Sequence, residues 1–208
     1  MKKLFINIIF LFAIIASADA QMLYKPELYI GAASGATIAK VGFSPKIHQS
    51  FVLGVNAGAT FRYVTEKYFG MQIELNVSQM GWKEDSTSFS KNMTYIELPF
   101  LTHIYFGQTT RVFVNLGPQI GFLLHERTDA PPEKDAEFQH TTSLQRKFDY
   151  GFAVGLGISV PIKKNTIQLE IRGYYGMGDI YQNRKEDWFQ RSNNMQAAVS
   201  LGWYFRLK

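Results

Sequence analysis

The chain has 208 residues, of which 22 are Lys or Arg and 17 are Asp or Glu, for a formal charge of +5. That excess is mild and evenly spread, which argues against a nucleic-acid partner. No cysteine is present, so disulfides, thiolate metal sites and a cysteine nucleophile are excluded together.

Residues 1–20 read as a secretory signal peptide. Lys2 and Lys3 supply the positive start, Leu4 to Ile15 is an almost unbroken apolar run, and Ala18-Asp19-Ala20 is a small-residue cleavage motif with the cut expected after Ala20. No Cys follows the cut, so a lipoprotein is not expected. Residues 21–208 remain as one domain, with 20 basic and 16 acidic residues and a formal charge of +4. Aromatics make up 15% of the chain and glycines number 17, a balance that suits strands joined by tight turns.

Nothing after residue 20 is apolar for the ~20 residues a transmembrane helix needs. Period-two alternation recurs instead in eight segments, near 27–38, 51–64, 68–81, 93–106, 111–124, 147–160, 166–177 and 194–206. The first, around "GAASGATIAK", is small and nearly featureless. The second sets Phe51, Leu53, Val55 and Phe61 opposite Asn56, Thr60 and Arg62. The third sets Phe69, Met71, Ile73, Leu75 and Val77 opposite Gln72, Glu74 and Asn76. The fourth carries Glu97, and the fifth places Val112, Val114 and Ile120 against Asn115 and Gln119. In the seventh, Ile167, Leu169 and Ile171 face away from Gln168, Glu170 and Arg172. The eighth opposes Val199, Leu201, Trp203 and Phe205 to Gln196, Ser200 and Arg206.

Alternation alone leaves two proteins open: a soluble one with the apolar face inside, or a membrane barrel with that face on lipid. The connections separate them. "TEK", "GQTT" and "PIKKN" are short, whereas "VGFSPKIHQ", "KEDSTSFSKN", His125 to Arg146 and Gly178 to Asn193 are long. Short and long connections alternate strictly, as in an up-and-down outer-membrane barrel with tight periplasmic turns and long external loops. Closing "PIKKN" as a hairpin with Val160 opposite Ile167 sets Glu170 against Gly157, Arg172 against Gly155 and Tyr174 against Ala153. Large polar side chains then meet an emptied face, which is how a narrow barrel fills its interior. Aromatics also gather near strand ends, Tyr63, Phe69, Phe106 and Phe205 at one and Trp82, Phe122, Phe148 and Tyr175 at the other, resembling two membrane girdles.

In this barrel Arg62, Glu74, Glu97, Glu170 and Arg172 point inward. Charges removed from water need partners, so an interior network bridging the second, third, fourth and seventh strands is expected, plugging the barrel rather than conducting. The four histidines, His48, His103, His125 and His140, show no metal spacing, and no cofactor is expected. The loop "ERTDAPPEKDAEFQ" reads as a solvated external loop. Trp188 and Phe189, aromatics among charges, are candidates for a loop-mediated contact.

Four segments, "LNVSQMGWKED", "TYIELPFLTHIYF", "LEIRGYYGMGDI" and "SLGWYF", resemble in order the outer-membrane β-barrel domain family that includes PorT. Gln21 also resembles that group's processing sites. His103 and Met80 depart from family lysines, and the chain ends in Arg-Leu-Lys instead of an aromatic. The resemblance implies an eight-stranded barrel, recognised by the barrel-assembly machinery through Trp203, Phe205 and the apolar parity of the last strand. It also raises an involvement with a secretion system, because PorT acts in building one. The expectation is therefore an all-β, eight-stranded, up-and-down antiparallel transmembrane β-barrel of the outer membrane, porin-like in form. A non-enzymatic scaffold is expected, in contact with outer-membrane lipid and lipopolysaccharide and with a protein or surface glycan at its external loops. The alternatives are a lipid A-modifying enzyme, with His140 to Ser143 or His125-Glu126 at the rim, and a soluble periplasmic lipocalin-like carrier.

Overall fold

Alternating residues build nine strands in a computed structural model that describes residues 22–85, 89–129, 143–182 and 189–207. They are β1 (Met22–Ser44), β2 (Gln49–Ser50), β3 (Val52–Glu66), β4 (Phe69–Glu84), β5 (Ser90–Phe106), β6 (Arg111–Asp129), β7 (Phe148–Ile162), β8 (Asn165–Asp179) and β9 (Arg191–Arg206). The signal segment, His140 and Trp188 lie outside the described residues.

Eight of the strands are long, and each pairs antiparallel with its neighbours in sequence. β1 pairs with β3 on one side and with β9 on the other, so the sheet closes on itself. Closure removes the free edges that an open sheet presents. The two-residue β2 is an accessory that pairs with the outer end of β4.

The short connections lie at one end. Glu66 pairs with Phe69 across Lys67-Tyr68, and Ile162 pairs with Asn165 across Lys163-Lys164. Lys163 takes φ 56°, the left-handed backbone that two-residue hairpin turns use to match strand twist. Gly107 opens the third short turn at φ 105°, where a side chain would be strained. The β7–β8 register is the one expected: Val160 opposite Ile167, Gly157 opposite Glu170, Gly155 opposite Arg172 and Ala153 opposite Tyr174.

The faces are inverted relative to a soluble protein. Leu53 is 79% exposed, and Ile171, Leu201 and Trp203 are exposed beside it, while Arg62, Glu74 and Glu170 are buried. A lipocalin-like carrier would have the reverse. On β8 the outward-facing apolar row runs from Ile167 to Met177. At about 3.3 Å per residue and a tilt near 40°, that row spans about 25 Å, the height of an outer-membrane barrel's apolar band.

Two expectations about aromatics need correction. Trp82 is not part of a girdle: it is fully buried, on the inward parity of β4 with Ser78 and Met80. Phe189 is not an exposed loop aromatic either, being 1% exposed with its ring 4.7 Å from Phe43. Both join Phe43, Phe89, Ile180 and Tyr181 in an apolar cluster that fills the long-loop end of the lumen. The reason is that the strands run beyond the lipid band, where an inward apolar residue finds the interior of the barrel mouth and not a membrane. The girdle residues Tyr63, Phe69, Phe106, Phe122, Phe148, Tyr175 and Phe205 are exposed, as their parity requires.

Candidate functional site: the charged lumen

The barrel interior is layered. At the short-turn end Tyr29, Val64, Tyr105, Phe113 and Tyr204 form a second apolar cluster. Outside it, Glu27 accepts hydrogen bonds from Tyr29 Oη at 2.7 Å and from Arg206 Nη1 at 3.0 Å. Between the two apolar layers lies the polar network.

Arg172 is its centre. From β8 it reaches across the lumen to β4, the diametrically opposite stave, where Nη1 and Nη2 donate to Glu74 at 2.6 and 2.7 Å. Nε and Nη2 also donate to Glu170 on its own strand, at 2.9 and 3.0 Å. Such a forked pairing is the strong form of a charge-assisted contact. Glu74 further accepts from Asn76 at 2.8 Å and from Gln72. Glu170 further accepts from Asn115 and from Gln168, each at 3.1 Å. Each carboxylate therefore takes four hydrogen bonds, the full lone-pair capacity of the group. A buried charge is tolerable only when satisfied in this way.

Arg62 belongs to the same network but meets no carboxylate directly. Its Nε donates to Gln72 at 2.6 Å and its Nη2 to Gln168 at 2.7 Å, and its guanidinium lies 4.5 Å over the Tyr204 ring. The glutamines pass its charge on to Glu74 and Glu170, so two cations balance two anions. His103, buried between Tyr105 and Phe113, is tied in through Asn115 Oδ1 at 2.7 Å from Nδ1. Because Asn115 turns its amide nitrogen to Glu170, its oxygen can only accept, which places the proton on His103 Nδ1.

Of the five charges expected to assemble, four do, on β3, β4 and β8. Glu97 does not. It is 5% exposed on β5, level with Asn76, and its Oε1 makes no hydrogen bond. The reason is one of level: the Arg172 fork is filled by Glu74 and Glu170 below it. The fourth stave is reached by Asn115 of β6 instead. Gln72, Asn76, Asn115 and Gln168 were not singled out from the sequence, although their inward parity was visible there. Above the network, Asn194 Nδ2 donates to Asp149 at 2.8 Å and to Tyr95 Oη at 3.3 Å.

Small neighbours make room for this. A Cβ on Gly155 would run into Glu170 Oε1, so the glycine of β7 is what lets the carboxylate lie flat against the wall. Inside the network a small polar cavity, bordered by Asn56, Glu74, Arg172 and Ser200, has room for ordered water. Among the described residues no group of three or more His, Asp and Glu could hold a metal ion. His48 and His125 are exposed near the long-loop end, apart from each other.

An apolar outer band, a polar lumen in which two arginines offset Glu74 and Glu170, and a sheet closed on itself define an integral membrane β-barrel with a filled interior. The chain belongs to the outer membrane protein beta-barrel domain family, whose model matches residues 20–182. Among solved structures it is similar to the outer membrane protein OprG from Pseudomonas aeruginosa, at 10% identity and a TM-score of 0.54, over 90% of this chain and 98% of that one. It is also similar to Neisserial surface protein A, at 13% identity and a TM-score of 0.50, over 86% of this chain and 96% of that one. At such identities the likeness concerns the fold. No curated protein matches the chain.

Proposed function

We propose that the chain is a non-enzymatic outer-membrane scaffold, exported by a signal peptide removed after Ala20, whose long-loop end engages a protein partner or surface polysaccharide. The observation that carries this reading is the filled lumen. Two apolar clusters and a charge-balanced network occupy the interior, so the barrel's outward surfaces are left to do the work. The external face is also the longer one, since β1 and β6 extend to Ser44 and Asp129, well past the lipid band. The resemblance to the group that includes PorT supports a partner within a secretion apparatus.

The pull-down that tests this uses chains shortened within the two longest connections. Leu144, Tyr181 and Phe189 belong to the interior cluster, so the deletions are confined to 130–142 and 183–188. We expect the co-purifying partner to be lost with one or both deletions while the barrel stays folded. Retention after both would refute loop-mediated binding. For the enzymatic alternative, lipid A from a deletion strain should show unchanged acyl chains by mass spectrometry, and altered chains would favour catalysis.

A further inference from the structure

The barrel wall is split at its outer end. Regular β1–β3 pairing stops at Ala39 opposite Val52, and the chain before β3 then peels away to pair with β4, Gln49 opposite Glu84 and Ser50 opposite Lys83. Above that point β1 has lost its neighbour on this side. The Gln49 side chain stands in for the missing ladder: its amide oxygen accepts from Val41 N at 3.3 Å and its amide nitrogen donates to Val41 O. Ser50 Oγ donates to Asp85, which holds β2 against β4. What remains between β1 and β2 is a cleft of about 470 Å³.

The cleft has two kinds of wall. On one side its lining is apolar and includes Phe51, Ile47 and Met195. Phe51 is 59% exposed and shares its outward parity with Leu53 and Val55, so this side is continuous with the lipid-facing band. Its rim is cationic. Lys40 holds its ammonium 5.1 Å from the centre of the Phe51 ring, and the exposed Lys46 and His48 line the same cleft. Asp85 is the acidic member, engaged by Ser50. An apolar side opening onto the bilayer, beside a rim of ammonium groups at the level where the band ends, matches one kind of molecule. That molecule has acyl chains below and phosphate above, because lysines at a membrane surface are attracted to anionic headgroups.

We infer that the β1–β2 cleft docks a phosphorylated outer-leaflet glycolipid, with acyl chain against Phe51 and phosphate between Lys40 and Lys46. This goes beyond the scaffold reading: it shares the outward orientation of the long-loop end, but needs neither residues 130–142 nor 183–188 and no protein partner. The occupant's place is lateral, on the barrel wall, and leaves the lumen network untouched.

The test is native mass spectrometry of the full mature chain in non-ionic detergent, titrated with bisphosphorylated lipid A and, separately, with lipid A stripped of phosphate. Wild type should retain the phosphorylated lipid, and Lys40→Gln with Lys46→Gln should weaken it by about tenfold or more, as two surface lysines near an anionic headgroup would. Arg146→Gln with Lys147→Gln, on the β7 side, should bind as wild type does, and both doubles should keep the wild-type heat shift on gels. Equal retention of the two lipids by wild type would overturn the inference. So would unchanged binding by the Lys40/Lys46 double, or displacement of the lipid by inorganic phosphate alone, which would mark a free-anion site.

Discussion

Arg172→Ala is expected to unfold in detergent at a markedly lower temperature than wild type, with a loss of about 3–5 kcal/mol, the cost of stripping one partner from a buried ion network. The size follows from what is left behind. Glu74 and Glu170 would each lose two of four hydrogen bonds while staying buried, and β8 would lose its strut to the opposite wall. Arg172→Lys separates charge from geometry. A lysine keeps the positive charge but lacks the fork, so it should recover part of the stability and not all of it. A heat-modifiability gel on purified barrels reads both variants. If Arg172→Ala survives to the wild-type temperature, the network does not hold the barrel together.

The second large effect belongs to the apolar stopper at the barrel mouth. Trp82→Ala removes a fully buried indole whose ring lies 5.4 Å from Phe43 and 6.3 Å from both Phe89 and Tyr181. Truncating a packed aromatic of this kind costs about 3–5 kcal/mol, because the transfer loss is joined by that of an unfilled cavity. Trp82→Phe should cost much less. Neither variant should produce open-channel steps in a planar bilayer, since the polar network and the lower cluster around Tyr105 and Phe113 still fill the lumen. Stable conductance from Trp82→Ala would mean that the mouth cluster alone seals the barrel.

The parts of this architecture legible from the chain are those governed by period two and by loop length. Ile167, Leu169 and Ile171 against Glu170 and Arg172 divide the two faces, the alternation of short and long connections decides which face meets lipid, and the short "PIKKN" hairpin sets the register that brings Glu170 and Arg172 onto the glycines of β7. Strand length was less legible. β1 and β6 extend beyond 38 and 124 to Ser44 and Asp129 because backbone pairing continues past the membrane, where no lipid requires an apolar outward residue. The same change of surroundings misplaced Trp82 and Phe189. Their inward position was available from parity in the first case and invisible in the second, because Phe189 belongs to no alternating run. The network's membership was legible as charge and not as chemistry. Alternation put Glu97 on the right face, but it carries no information about which level an arginine fork will fill, or that Gln72 and Gln168 would relay Arg62.

The inversion of faces is the central claim, and two native tryptophans report on it directly. Trp203 faces outward from β9 and is 58% exposed, whereas Trp82 is sealed inside. With the other tryptophans changed to Phe, each is left alone in a refolded barrel within vesicles whose acyl chains carry bromine, a contact-range quencher. Trp203 fluorescence should be strongly quenched and Trp82 fluorescence should not. Quenching of Trp82 with Trp203 spared, or of neither, would contradict the barrel as described.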